Sequence, residues 1–270
     1  MTDRYAVVGN PVAHSLSPRI HAAFARQTSQ DMEYGAILAP VGGFAAAVEV
    51  FRAEGGRGLN VTVPFKLDAF TLSTTLTDRA KSAGAVNTLK FDGDTALGDN
   101  TDGAGLVADI TIRLGVSLTG KRILLMGAGG AARGVVLPLL KQKPLLLAIA
   151  NRTVEKAFAL AAGWKSDGNV RGGGYGEFAD ESFDVIINAT SASLSGDLPP
   201  LSKRVFASAA LAYDMVYGER ATSFLRAAKS FGVVRVADGL GMLIAQAAES
   251  FLLWRGVRPD TAPVIAMLSA

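Results

Sequence analysis

The stretch "KRILLMGAGGAAR" (121–133) decides the fold. Ile123–Met126 is a continuous apolar run of the kind buried on both faces of a parallel sheet. It leads directly into two glycines, and a helical pattern, "GAARGVVLPLLKQ" (130–142), follows. Gly127, Gly129 and Ala132 thus form a G-x-G-x-x-A pattern between a strand and a helix. The first glycine permits a tight turn, the second lets a pyrophosphate approach the backbone, and the small third residue lets helix pack on strand. The loop Gly127, Ala128, Gly129, Gly130, Ala131 would present its N–H groups to the phosphates at the positive end of the helix. The alternative is a tight turn with no ligand; the flanking strand and helix favour a dinucleotide.

The next strand, "LLLAIAN" (145–151), bears on which dinucleotide. NAD-binding units place an acidic residue here to hold the ribose hydroxyls. This chain has Asn151, Arg152 and Thr153 instead, with Lys156 one turn further. Arg152 offers a planar donor fork to a 2′-phosphate, and Thr153 adds a hydroxyl and an N–H. NADP is the expected cofactor. Taken alone, Arg152 and Lys156 read as solvated surface charges; following a phosphate loop they do not.

Outward from this unit, strand and helix patterns alternate over most of the 270 residues. "YAVVGN" (5–10), "MEYGAILA" (32–39) and "GLNVTV" (58–63) read as strands, separated by helices over "SPRIHAAFARQT" (17–28) and "GGFAAAVEVFRAE" (42–54). "AVNTLKF" (85–91) and "TALGDN" (95–100) read as a hairpin, and "GAGLVADITIRLG" (103–115) as a helix. Thr153 is the expected cap of a helix over 153–164. Strands at 182–190, 211–217 and 233–238 and a long helix at 239–256 complete the pattern. The glycine-rich "RGGGYGEF" (171–178) reads as a loop. Alternation of this kind predicts an α/β fold with parallel sheets covered on both faces.

Composition narrows the function classes. Hydrophobic residues make up 49% of the chain and the net charge is +3, dispersed rather than clustered, which argues against a nucleic-acid surface. There is no cysteine, hence neither disulfide nor thiolate chemistry. The N-terminus enters a strand with no signal-type region, and the most apolar later stretch is interrupted by lysines and prolines; no membrane segment and a cytoplasmic location are expected. The two histidines, His14 and His21, lack metal-ligand company, so no metal is expected.

A nicotinamide enzyme needs a group that moves a proton while the cofactor moves the hydride. In "LNVTVPFK" (59–66), Lys66 follows Pro64, which reads as the opening of a helical turn. A cation is disfavoured at that end of a helix. A lysine tuned by a helix N-terminus or by desolvation is a plausible acid, and a carboxylate is its natural partner. Asp102, in "GDNTDGAG" (98–105), lies after a strand and at a helix start. Its alternative role is a plain N-cap.

These residues resemble the shikimate dehydrogenase family. "GNPVAHSLSP" (9–18), "NVTVPFK" (60–66), "AGAVNTL" (83–89), "DNTDGAG" (99–105), "GAGGAAR" (127–133), "NRT" (151–153), "NATSA" (188–192), "YDMVYG" (213–218) and "DGLGMLIAQAAESFLLWRG" (238–256) are similar to its motifs, in order. The resemblance implies reversible, NADP-dependent reduction of 3-dehydroshikimate to shikimate, on the route to chorismate and the aromatic amino acids. It implies Lys66 and Asp102 as the catalytic pair. Ser15 and Ser17 would bind the substrate carboxylate, with Thr62 nearby, and Asn87, Asp102, Lys66, Tyr217 and Gln246 would address the hydroxyls. Asp78, Met215 and Gly239 would lie near the cofactor. The alternative for Ser15 and Ser17 is helix capping. Ser193 and Ser223 stand where many relatives have Gly and Pro.

The expected organisation is a substrate domain of residues 1–102 completed by 239–270, and a Rossmann-type NADP domain of 103–238, with catalysis in the cleft between them. Two rival readings remain: a quinate/shikimate dehydrogenase using NAD, and a catalytically silent NADP-binding sensor. The partner is a small-molecule substrate, with neither nucleic acid nor membrane, in a monomer or homodimer.

Overall fold

The computed structural model describes residues 2–190, 192, 198, 200–218 and 220–269; Ser193 lies outside them. The chain divides into two compact units, Met1–Gly105 with Ile244–Ala270, and Leu106–Leu243. Both divisions fall inside helices, later than the expected positions at the helix starts.

The first unit contains β1 (Asp3–Gly9), α1 (Ser17–Gln27), β2 (Met32–Leu38), α2 (Phe44–Ala53), β3 (Gly56–Val61), α3 (Lys66–Leu72), β4 (Thr75–Leu76), α4 (Asp78–Ala83), β5 (Thr88–Asp92), β6 (Thr95–Asp99) and the start of α5 (Asp102–Ala108). Its sheet has the order β2-β1-β3-β5-β6-β4. The sheet is mixed, not parallel throughout. β5 runs antiparallel to both β3 and β6, because β5 and β6 form the hairpin legible around "DGD" (92–94). Its core joins Val8, Leu59 and Val61 of the strands to Phe44, Val48 and Phe51 of α2 and to Phe65 before α3.

In the second unit, α5 is followed by a π-helical turn at Asp109–Arg113, then β7 (Arg122–Met126), α6 (Gly130–Leu140), β8 (Leu146–Ala150), α7 (Val154–Ala162), β9 (Val170–Gly173), β10 (Val185–Asn188), β11 (Leu211–Asp214), α8 (Ser223–Ser230) and β12 (Val236–Ala237). The remaining helices are α9 (Leu240–Arg255), which continues into the first unit, and α10 (Ala262–Ser269). The sheet order is β12-β11-β10-β7-β8-β9, parallel throughout. This is the doubly wound dinucleotide-binding order, whose switch point lies between β7 and β10. The period-2 rule explains the continuous apolar strands: Ile123, Leu125, Leu147, Ile149, Val185 and Ile187 enter one core, while Leu124, Met126, Leu146, Ala148 and Ile186 enter the other.

The segment read as a glycine-rich loop is in part strand β9, parallel to β8, followed by a 3₁₀ turn at Tyr175–Phe178. Its glycine marks close packing rather than a turn. A Cβ on Gly172 would run into the Ala157 backbone of α7. Among the described residues, no helix is long and apolar enough to cross a membrane.

Candidate active site

In the first unit, β3 delivers the chain to a turn at residues 63–65, and α3 begins at Lys66, not at Pro64 as expected. Phe65, just before it, is buried and stacked on Phe44, so the turn is anchored by an aromatic contact. The Val86 N–H donates to the Lys66 carbonyl (3.0 Å), which brings the segment carrying Asn87 alongside. The Asn87 N–H in turn donates to the carbonyl of Asp99 at the end of β6 (3.0 Å). Two chain segments far apart in sequence therefore meet where α5 starts.

Lys66 Nζ donates to Asp102 Oδ2 at 2.6 Å, and Asn87 Nδ2 donates to Asp102 Oδ1 at 2.8 Å. The Asp102 carboxylate is thus held through both oxygens by side chains. Asp102 is the first residue of α5. The side chains of Lys66 and Asp102 keep 33% and 17% of their exposure, enough for a ligand to reach the pair. Gln246 of α9 joins them: its Oε1 accepts from Asn87 Nδ2 (3.2 Å) and from Thr101 Oγ1 (3.2 Å).

The other expected substrate residues of this unit are not hydrogen-bonded to that cluster. Thr62 is tied to β1 through its N–H to the Val8 carbonyl (3.0 Å). Ser17 opens α1 and Leu16 is the capping residue, with no side-chain cap bond. Ser15 Oγ accepts the Ser17 N–H at 3.3 Å, and Ser17 is buried. Asp78, expected near the cofactor, is exposed at the start of α4 and has Lys81 as an ion partner at 3.8 Å.

Several polar residues beneath the cluster were not singled out in the sequence. Asn60, buried at the end of β3, donates to Thr88 (3.2 Å) and Ser250 (2.9 Å) and accepts from the Tyr34 hydroxyl (2.7 Å). It also bonds Nε2 of His21 (3.1 Å), which therefore carries its proton on that nitrogen. Burial lowers the His21 pKa to about 3, so the ring is neutral. Asn60, Thr101 and Asp99 all lie inside quoted motifs, which was the available signal.

In the second unit, Gly127 has φ +111, and its N–H donates to the Ala150 carbonyl (2.8 Å). A Cβ on Gly127 would stand 3.1 Å from the Ala189 carbonyl, so β7 and β10 converge there. A Cβ on Gly129 or Gly130 would meet nothing within 4 Å, and no side chain caps α6. This is an open cradle at a helix N-terminus, with Ala128 buried beneath it and Ala131 exposed above. It fits a pyrophosphate.

At the end of β8, Asn151 Nδ2 bonds the Thr153 carbonyl (2.9 Å), and Arg152, Thr153 and Lys156 are exposed. Thr153 occupies the cap position of α7, but its side chain makes no capping bond, contrary to expectation. It remains available to a ligand. Met215 follows β11, and Gly239 is packed so closely on the Met215 backbone that a Cβ would overlap it. Tyr217, 38% exposed, belongs to this unit as well, and burial of its hydroxyl raises its pKa.

Three family models match the chain: the shikimate dehydrogenase substrate-binding domain over residues 7–89, shikimate/quinate 5-dehydrogenase over 109–195, and the shikimate 5′-dehydrogenase C-terminal domain over 239–266. A shikimate dehydrogenase (NADP(+)) of Nitrosospira multiformis is 62% identical over 268 residues, 99% of this chain and 98% of the relative. An Ael1 enzyme from Pseudomonas putida superposes with a TM-score of 0.95 at 49% identity, over 99% and 98% of the two chains. The shikimate 5-dehydrogenase of Thermus thermophilus, solved with NADP(H) and shikimate, gives 0.87 at 32% identity over 99% and 100%.

Proposed function

The chain belongs to the NADP-dependent shikimate dehydrogenases, and on that premise we propose that Lys66 and Asp102 move the proton of its reaction. The enzyme is an oxidoreductase of the shikimate pathway with NADP as coenzyme. When bound, the cofactor would supply the hydride chemistry: NADPH would give a hydride to 3-dehydroshikimate and become NADP+, and NADP+ would take one from shikimate and become NADPH. The observation that carries the proposal is the 2.6 Å contact of Lys66 Nζ with Asp102, reachable by a ligand and held from the far side by Asn87.

In the reducing direction, the Lys66 ammonium gives a proton to the substrate oxygen as the carbonyl is reduced. In the reverse direction, the neutral amine takes it back. Asp102 aims the ammonium and shares the developing charge. Asn87 and Gln246 supply donors and acceptors for the ring hydroxyls, and Ser15 and Ser17 supply hydroxyl donors for the carboxylate. Thr62 borders that site, and Tyr217 is a further candidate for the hydroxyls.

Gly127 through Ala131 hold the pyrophosphate with main-chain N–H groups. Arg152, with Asn151, Thr153 and Lys156, takes the 2′-phosphate, because β8 is followed by Asn151, where a carboxylate would repel it. Met215 and Gly239 shape the nicotinamide side. Asp78, exposed at the start of α4, is the remaining cofactor candidate.

The test is an assay of the purified protein with shikimate or quinate, and NADP or NAD, followed by absorbance of the reduced nicotinamide. The expected preference is for shikimate with NADP. The model matched over 109–195 spans quinate enzymes as well, and faster turnover of quinate with NAD would establish that second reading.

A further inference from the structure

We propose that Arg79 is a positioning residue for the Lys66–Asp102 pair, its guanidinium fork setting the place of the Asp102 carboxylate through Asp99 and Asn100. The proposal rests on the proton-transfer role assigned to that pair. Asp99 ends β6 and is fully buried. A buried carboxylate is tolerated only with a counter-charge and satisfied lone pairs. Arg79 provides the counter-charge with two prongs, Nε to Oδ1 at 3.1 Å and Nη2 to Oδ2. Thr77 Oγ1 adds a third bond at 2.6 Å, and the Asn100 N–H a fourth at 2.7 Å.

From Asp99 the order passes to Asp102 by two routes. The first runs through Asn100, whose Oδ1 accepts the Asp102 N–H (3.2 Å) while its Nδ2 donates to the Ala85 carbonyl (3.1 Å). The second runs through Asn87, whose N–H donates to the Asp99 carbonyl and whose Nδ2 holds Asp102 Oδ1 at 2.8 Å. Arg79 is itself braced. Its Nη1 donates to Glu249 of α9 (3.2 Å), and Arg258 holds the other Glu249 oxygen at 2.6 Å. Arg79 does not bond to Lys66 or Asp102, so its effect is on their placement.

A lysine at 79 keeps the charge but lacks the planar fork that seats both Asp99 oxygens. The experiment compares Arg79→Lys, Arg79→Met and Glu249→Gln with Asp102→Asn in the full-length protein, reading kcat, shikimate KM, NADPH affinity and thermal midpoint. Arg79→Lys is expected to keep a near-native midpoint and NADPH affinity, while kcat falls well beyond any change in shikimate KM. Arg79→Met is expected to lose about 10²-fold in kcat, the scale of a misplaced reacting group. Glu249→Gln is expected to lose less.

A merely structural role would lower the midpoint and leave kcat per folded molecule native. That result in Arg79→Lys overturns the proposal, whether or not Arg79→Met folds. If Asp102→Asn itself retains native kcat, the proton-transfer reading fails and takes this one with it. If Asp102→Asn is crippled while Arg79→Lys and Glu249→Gln are native, the positioning role alone fails.

Discussion

Lys66 and Asp102, thirty-six residues apart in sequence, meet at 2.6 Å within a single compact unit. Lys66 opens α3, where the helix dipole disfavours a cation, and Asp102 opens α5, where it favours an anion. The pair is therefore built with the carboxylate as its more strongly held member. Asp102 is fixed through both oxygens, and the ammonium retains donors to offer a substrate.

Cofactor choice is expected to depend on Arg152. Arg152→Ala should weaken NADP binding by about 1.5–3 kcal/mol and leave NAD binding nearly unchanged, because a charge-assisted contact to the 2′-phosphate is lost. Titration of the purified variant with each cofactor checks it. Equal losses would remove Arg152 from phosphate recognition.

The serines test substrate anchoring. Hydrogen bonds to a charged group are worth about 1.5–3 kcal/mol each, so Ser15→Ala and Ser17→Ala should each raise shikimate KM by about tenfold or more. Because neither side chain caps α1 in the usual way, the thermal midpoint of Ser15→Ala should move little. A large fall in midpoint with unchanged KM would restore a capping role.

His21 should make stability depend on pH. Its ordinary pKa of 6.5 is lowered to about 3 by burial among Phe24, Tyr34, Phe251 and Trp254. A histidine held neutral in the fold binds more protons when unfolded. Its stabilising contribution is complete above pH ~6.5 and is lost as pH falls toward 3, by up to about 5 kcal/mol over the window. Thermal melts from pH 7 to pH 4 should show this slope, and His21→Gln should flatten it. An unchanged slope in the variant would assign the acid sensitivity to other groups.

Gly172→Ala should destabilise the second unit by about 1–3 kcal/mol, since the added methyl meets the Ala157 backbone rather than a movable side chain. A chemical-denaturation midpoint equal to that of the native chain would show that α7 can retreat from β9.

The parts of this molecule legible in its sequence are those that local chemistry enforces. β7, β8 and β10 are apolar at almost every position because both faces are covered, and Gly127 and Gly129 sit where a turn and an open cradle need them. β9 was hidden because Gly172 and Gly173 carry no side chain to reveal alternation; the demand for glycine comes from α7, a tertiary neighbour. The start of α3 at Lys66 was obscured by Pro64, which stands in the turn before the helix.

Within the site, motif residues pointed to Lys66, Asp102, Asn87 and Gln246, and these four form one bonded cluster. Their supports were not legible. Asn60 meets Ser250 across 190 positions of chain and Arg79 meets Glu249 across 170, and neither partnership leaves a local pattern. In "LTDRAK" (76–81) the eye falls on Asp78, yet the side chain turned into the protein is that of its neighbour, Arg79.

The most direct test of the account is the turnover of Lys66→Met at saturating shikimate and NADP, followed by absorbance of the reduced nicotinamide. Methionine has a similar length but carries neither the charge nor a proton to transfer. We expect kcat to fall by about 10²–10⁴-fold, the usual contribution of a general acid–base group, with NADP affinity unchanged because the phosphate cradle belongs to the other unit. A variant that binds shikimate and turns over at the native rate would contradict the assignment of Lys66 and, with it, the mechanism built on the Lys66–Asp102 pair.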